Sequence, residues 1–110
     1  MDIREARNGG VLTVGVAGKL DATTAKPFED RLLGAIDAGE QRVVLDLARL
    51  DYVSSAGLRV FLLAAKRLKG TNGTIVLCSL TDQVKEVFDI AGFLTLFPMY
   101  GSHDEALRNL

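Results

Sequence analysis

The feature that most constrains the fold is an apolar run over residues 43–47, which a helical pattern follows within a few residues. Val43, Val44, Leu45 and Leu47 leave only Asp46 as a polar interruption. Such a run is typical of a strand buried on both faces, as in the middle of a parallel sheet. Parallel neighbours need a crossover connection, which is usually a helix. The run therefore predicts an α/β fold.

The rest of the chain supplies the neighbours of that strand. Alternation over residues 11–16 predicts a strand with one buried face, and the turn residues Asn8-Gly9-Gly10 predict a hairpin with residues 3–6. Helical spacing and caps predict helices over residues 24–38, 58–68, 82–91 and 103–110, and short apolar runs predict strands over 74–79 and 94–97. We expect a single domain over residues 1–110, a small mixed sheet of four to five strands packed by about four helices.

Composition narrows the classes of function. The net charge of −1 over 110 residues does not favour nucleic-acid binding. The longest apolar run, residues 60–65, is too short to cross a bilayer, and the N-terminus lacks the apolar region of a signal peptide. Cys78 has no partner for a disulfide, and one cysteine with one histidine makes a poor metal site. We therefore expect a cytoplasmic protein, a monomer or weak dimer, with no metal, cofactor or membrane insertion.

Two serines stand where the polar corner over residues 50–55 turns into a helix. Amides at a helix start have no partner within the helix and favour both capping hydroxyls and anions. Extending the helix backwards by about 100° per residue places Ser54 on the inner stripe with Leu58, Phe61, Ala65 and Leu68. Ser55 falls on the outer stripe with Arg59, Leu62, Leu63 and Lys66. Ser54 is thus predicted to cap the helix and Ser55 to expose its hydroxyl.

The same helix is apolar over residues 60–65, more than one buried face requires. Burying one face leaves Leu63, and either Leu62 or Val60, partly uncovered. Two interpretations remain open, a surface for docking a partner or a face covered by the C-terminal helix. A phosphate on Ser55 would add nearly two negative charges beside this surface. The helix dipole and Arg59 would stabilise that phosphate, so a partner would be repelled while the fold changes little.

The chain resembles the STAS domain family, and specifically the bacterial anti-sigma-factor antagonists. The resemblance covers nearly the whole chain: Gly18-Lys19-Leu20-Asp21-Ala22, the loop from Val44 to Arg59, the step from Phe88 to Tyr100, and Glu105-Ala106-Leu107. It implies a protein that is not an enzyme and that, when unphosphorylated, binds a serine-kinase anti-sigma factor of the GHKL type. It also implies that phosphorylation by the kinase disables this binding and that a PP2C-type phosphatase restores it.

The family's loop reads Asp-Ser-Ser/Thr-Gly-Leu-Gly, with the phosphoacceptor directly before the glycine. This chain has Ala56 at the acceptor place and Ser54 at the aspartate place, and is similar to a Ser-Ser-Ala-Gly-Leu-Arg subgroup. One of the two serines would then be the acceptor; we favour Ser55 and keep Ser54 as the alternative. Together with the outer stripe, the expected partner-binding residues are Asp21, Ser54, Ser55, Gly57, Arg59, Leu62, Leu63 and Lys66.

Other functions and structural roles remain open. One alternative is a scaffold or regulatory subunit that works without phosphorylation, in another kinase–phosphatase pathway or a lipid-transport complex. A serine hydrolase would need Ser55 as nucleophile, but Val53 replaces the first glycine of the nucleophile elbow and His103 is the only imidazole. Asp21 is open between a place near the serine corner and a role in capping or hydrogen bonding to loop amides. Asp46 is expected to be a buried carboxylate that loop amides satisfy, and not a catalytic acid. Cys78 is expected in the core, and His103 in solvent.

Overall fold

The computed structural model describes residues 1–110 as one mixed five-stranded sheet with four helices. The strands are β1 (Asp2–Asn8), β2 (Val11–Leu20), β3 (Arg42–Val53), β4 (Thr74–Cys78) and β5 (Met99–Tyr100). The helices are α1 (Ala25–Asp37), α2 (Ser55–Lys69), α3 (Asp82–Ile90) and α4 (His103–Arg108). The strand order in the sheet is β1-β2-β3-β4-β5; β1 and β2 are antiparallel and the other pairs are parallel. The predicted α/β fold, with its N-terminal hairpin, is confirmed.

The central strand β3 divides the apolar interior into two layers. Val43, Leu45 and Leu47 belong to the larger core, which α1, α2 and α3 cover. Val44 belongs to a smaller cluster on the opposite face, beneath Ala106 of α4. Because side chains alternate along a strand, α4 lies on the opposite face of the sheet from α2. The interpretation that the C-terminal helix covers α2 is therefore wrong.

Both strands that lead to the predicted polar corners are longer than expected. β2 and β3 stay paired as far as Leu20 and Val53, across two register shifts. Such irregularities let a twisted pair of strands continue after its register changes. Leu50 and Val53, expected in the second corner, are buried strand residues. The turn into α2 is consequently very short, and it begins at Ser54.

The strand predicted over residues 94–97 is wrong. Its backbone turns instead, with the Leu96 amide donating to the Phe93 carbonyl at 3.0 Å. Phe97 is 2% exposed, and its ring lies 6.4 Å from that of Phe88. The apolar residues of this segment therefore fill the core, and the edge strand forms two residues later as β5.

The buried face of α2 is rotated slightly from the predicted one. It comprises Gly57, Val60, Phe61, Ala64 and Leu68. The predicted residues Leu58 and Ala65 are only half-buried, while Val60, expected to be partly uncovered, is 1% exposed. Packing against α1 as well as against the sheet accounts for this wider coverage. Leu62 and Leu63 remain half-buried, as the apolar surplus predicted. None of the four helices is long and apolar enough to cross a membrane.

Candidate functional site

Ser54 is the N-cap of α2. Its backbone is extended, with φ −92° and ψ 174°, and its hydroxyl oxygen accepts a hydrogen bond from the Gly57 amide at 3.3 Å. The side chain is half-buried. This arrangement satisfies one of the amides that a helix start leaves without a partner. The prediction that Ser54 caps the helix is confirmed.

Ser55 is the first residue of α2 and is exposed, as predicted. Its hydroxyl takes part in none of the protein's side-chain hydrogen bonds. No acidic residue lies in the first turn of α2, so the positive end of the helix dipole is not compensated there. A negative charge added to Ser55 would therefore meet a favourable field from its own helix.

Gly57 lies beneath this surface and not on it. A Cβ atom at this position would stand 2.8 Å from Leu20 Cγ and 3.0 Å from Val53 Cγ2. The missing side chain lets the first turn of α2 pack directly on the ends of β2 and β3. The burial of Gly57 gives it a packing role, and its direct contact with a partner stays a prediction.

The corner after β2 adjoins the serine corner. The Ser54 amide donates to the Leu20 carbonyl at 2.9 Å, and Asp21 follows Leu20 directly. The Asp21 carboxylate accepts hydrogen bonds from the Thr23 amide at 2.9 Å and the Thr23 hydroxyl at 2.7 Å. The hydrogen bond from the Thr23 side chain, followed by the one from its amide, lowers the pKa of Asp21 below 3.8. Asp21 thus lies beside the serines and at the same time organises the start of α1.

Arg59 forms an ion pair with a carboxylate of α1 and is not an unpaired cation beside Ser55. Its guanidinium lies 3.4 Å from a carboxylate oxygen of Glu29 on α1, while its side chain remains 69% exposed. Glu29 in turn lies 3.6 Å from the Lys26 amino group. Sequence patterns missed Glu29 because it pairs with Arg59 across 30 positions of the chain. A phosphate on Ser55 would compete with Glu29 for Arg59.

The outer stripe of α2 forms one continuous surface. Ser55, Arg59 and Lys66 are exposed, and Leu62 and Leu63 lie half-buried among them. We call these five residues the outer stripe below. It combines an accessible hydroxyl, two cations and partly uncovered apolar area on one rigid helix, which is suitable for docking a protein.

His103 lies far from the serines, and its predicted exposure is wrong. It is half-buried, with Nε2 2.7 Å from the Thr13 hydroxyl oxygen. Thr13 stands seven residues before Leu20 along β2, which corresponds to about 23 Å of strand. Since α4 also lies on the opposite face of the sheet from α2, this imidazole cannot act as a base for Ser55. The geometry contains no catalytic triad of the kind that a serine hydrolase needs.

The other two polar candidates have structural surroundings. Asp46 is half-buried and accepts a hydrogen bond from the Ala48 amide at 3.1 Å. Cys78 is fully buried, as predicted, and burial, then the nearby Asp46 charge, raises its pKa to about 11. A thiol with that pKa stays protonated near neutrality and is a poor nucleophile. Nowhere in the chain do three His, Cys, Asp or Glu residues gather in a metal-binding arrangement.

Sequence comparisons relate this chain to known proteins. The chain is 50% identical over 97 residues to BtrV of Bordetella bronchiseptica, named as a candidate anti-sigma factor antagonist; the match covers 88% of this chain and 84% of BtrV. It is 33% identical over 94 residues to the anti-sigma-B factor antagonist of Listeria monocytogenes, covering 84% of this chain and 80% of that protein.

Solved structures have the same fold. The anti-sigma factor antagonist SpoIIAA in its unphosphorylated form superposes with a TM-score of 0.87 at 19% identity, over 98% of this chain and 95% of SpoIIAA. The phosphorylated form of SpoIIAA from Bacillus superposes with a TM-score of 0.79 at 18% identity, over 98% of both chains. The family model described as the STAS domain matches residues 2–106. The chain therefore belongs to the STAS domain family.

Proposed function

We propose that this protein is an anti-sigma factor antagonist whose binding to a serine-kinase anti-sigma factor is switched off by phosphorylation of Ser55. The supporting observation is the environment of Ser55, an exposed hydroxyl without an internal partner at the uncompensated start of α2. The antagonist names of the relatives from Bordetella and Listeria support the choice of partner.

The outer stripe supplies the binding surface in this proposal. In the unphosphorylated state, Leu62 and Leu63 offer apolar area to the partner, and Arg59 and Lys66 offer charge. A phosphate brings about −1.5 to −2 charges and three strong acceptor oxygens to one end of such an interface. Burying that charge against a partner without a compensating cation is costly, so the complex is weakened.

The fold itself accommodates the phosphate in this proposal. The free amides of the first turn of α2 and its dipole favour a negative group at Ser55. Arg59 lies one helical turn further on and can leave Glu29, because an exposed ion pair contributes only about 0–1 kcal/mol. The switch thus acts at the interface and requires no rearrangement of the sheet.

Ser54 is less suited than Ser55 to accept a phosphate. Its hydroxyl already accepts from the Gly57 amide and is half-buried, so a kinase would have to break the cap before reaching it. We further propose that the kinase is of the GHKL type, that a PP2C-type phosphatase reverses the modification, and that the protein itself is not an enzyme. The distance between His103 and Ser55 supports this last statement with respect to a serine hydrolase.

Intact-mass spectrometry tests the acceptor. Purified protein is incubated with the cognate serine kinase and ATP, and the wild type is compared with Ser54→Ala and Ser55→Ala. We expect one added phosphate, a gain of about 80 Da, on the wild type and on Ser54→Ala, and none on Ser55→Ala. Phosphate uptake by Ser55→Ala would transfer the role to Ser54. If no form takes up phosphate, a scaffold that binds through the same stripe without modification replaces the proposal.

A further inference from the structure

A second surface lies toward the C-terminal end of α2 and shares Leu62 and Lys66 with the outer stripe. A groove of about 740 Å³ runs between the second half of α2 and the segment that leads into β5. Its apolar lining comes from α2, from the start of β4 and from the turn before β5: Leu62, Ala65, Leu68, Ile75 and Leu96. We call it the α2 groove. Leu96 is the most exposed large apolar side chain of the groove, at 49%.

The charged residues that line the α2 groove are all cationic. Lys66 and Lys69 line it, and none of its twelve lining residues is acidic. No carboxylate lies within 4 Å of either lysine, although Arg67 on the same turn pairs with Asp37 of α1 at 2.7 Å. The cation that faces α1 is therefore neutralised within the protein, and the two cations that face the groove are not.

We propose that the α2 groove docks an acidic amphipathic helix of a partner protein. Apolar area with cations along it is complementary to a helix that has leucine-like residues on one face and carboxylates beside them. The groove volume falls in the range of about 300–1,000 Å³ that is typical of ligand pockets, and three segments of the chain contribute to its walls.

A phosphate on Ser55 should have little direct effect on the charges of the α2 groove. Lys66 stands eleven residues and Lys69 fourteen residues after Ser55 on the same helix, distances of about 16 and 21 Å. These exceed the screening length of about 8 Å at physiological salt, so a phosphate on Ser55 has little influence there. A helix bound in this groove should therefore respond little to the phosphate itself, although it would compete with the anti-sigma partner for Leu62 and Lys66. The inference does not require that Ser55 be the acceptor.

A designed peptide tests the proposal without the kinase. The probe is a fluorescein-labelled, amidated helix of about 18 residues, with leucines at i, i+3, i+4 and i+7 spacing and glutamates beside them. In the comparison peptide, lysines replace the glutamates. Fluorescence anisotropy measures binding to the full chain at about 0.05 M and about 0.3 M NaCl. We expect the acidic peptide to bind, the basic one not to bind, and the affinity to fall with salt.

Variants then locate the binding. The double variant Lys66→Glu/Lys69→Glu should weaken binding of the acidic peptide at least tenfold, and Leu96→Ser should weaken it with the charges intact. Lys85→Glu, which changes an exposed cation of α3 outside the groove, should leave the affinity unchanged. Ser55→Asp should also leave it unchanged. Thermal melts confirm that each variant is folded.

Several results would overturn the proposal. Equal binding of the acidic and basic peptides, or undiminished binding by Lys66→Glu/Lys69→Glu, would show that the two lysines do not select an acidic helix. A wild-type dimer in sedimentation velocity that Lys66→Glu/Lys69→Glu dissociates would assign the groove to a second copy of this chain. Binding to phosphatidylglycerol vesicles without binding to the peptide would assign it to a lipid surface. Loss of peptide binding in Ser55→Asp would mean that the two ends of α2 are coupled.

Discussion

Ser54 and Ser55 are neighbours in the sequence with different environments. Ser54 uses its hydroxyl to hold the Gly57 amide, whereas Ser55 exposes a hydroxyl that nothing in the protein engages. The difference follows from the position of the helix start, because the N-cap side chain turns back over the first turn and the next residue points outward. Ser54 therefore contributes to the stability of the fold, whereas the Ser55 hydroxyl is accessible for modification.

Replacing each serine by alanine should separate these contributions. Ser54→Ala removes the cap and should lower the free energy of unfolding by about 1 kcal/mol. Ser55→Ala removes no internal contact and should change it by less than about 0.5 kcal/mol. Urea denaturation followed by circular dichroism measures both. Equal losses in the two variants would show that Ser55 also has a structural role.

Gly57 is a residue at which added volume should be costly. In Gly57→Ala the new methyl group meets Leu20 and Val53, and such overpacking costs about 1–3 kcal/mol. Gly34 on α1 is the matched control, since a Cβ atom there meets nothing within 4 Å. Gly34→Ala should be neutral or stabilising by up to about 1 kcal/mol, because alanine favours the helix. The urea midpoints of the two variants measure the difference in stability. A Gly57→Ala protein as stable as Gly34→Ala would contradict the packing argument.

At the scale of elements, α2 presents three different surfaces. Its inner face is sealed by Val60, Phe61 and Ala64 against the core. Its start displays Ser55, and its end forms one wall of the α2 groove. The outer side of α2 remains exposed, although the helix has few polar residues, because α4 packs on the opposite face of the sheet.

Leu63 tests whether the outer stripe is a docking surface. Leu63→Asp puts a charge among half-buried apolar atoms, and should weaken binding of the anti-sigma partner at least tenfold, or about 1.4 kcal/mol. The free energy of unfolding should fall by less than that, because Leu63 already contacts solvent. Titration calorimetry measures the affinity for the partner, and urea denaturation measures the free energy of unfolding. Ile90→Asp, at a position 80% exposed on α3, is the control and should change neither. A larger effect of Leu63→Asp on stability than on binding would place Leu63 in the core.

The elements themselves were predictable where local chemistry determines them. The apolar run at residues 43–47 identified the central strand, and glycine after residue 38 and Thr81 before Asp82 correctly marked a helix end and a helix start. The inward Ser54 and outward Ser55 followed from the helical period alone. These features depend on residues close together in the chain.

Features that depend on distant pairing were missed. The extension of β2 and β3 needs the pairing of Leu20 with Val53, which no local pattern shows. The local apolar pattern predicts a strand at Phe97. Its position is determined instead by contacts with Phe88 and Phe93, which form only in the packed core. The ion pair of Arg59 with Glu29 joins two helices in the same way.

At the scale of the whole molecule, the exposed start of α2 lies outside the packed core. Three phenylalanines, one from each of α1, α2 and α3, pack in a row with tilted and edge-to-face rings, whose centroids lie 5.5 Å apart between Phe28 and Phe61 and 5.2 Å apart between Phe61 and Phe88. This packing fixes α2 against the other helices. A charge added at the exposed start of α2 acts on what approaches from outside and leaves that core intact.

The most direct test of the switch is the binding of the anti-sigma partner to Ser55→Asp, measured by titration calorimetry alongside the melting temperature. The account predicts that affinity falls at least tenfold, about 1.4 kcal/mol, while the melting temperature stays within about 2 °C of the wild type. Ser55→Asn, similar in size without the charge, should bind far better than Ser55→Asp. Unchanged affinity in Ser55→Asp, or a loss accompanied by a large drop in melting temperature, would contradict a switch that acts by charge at the interface.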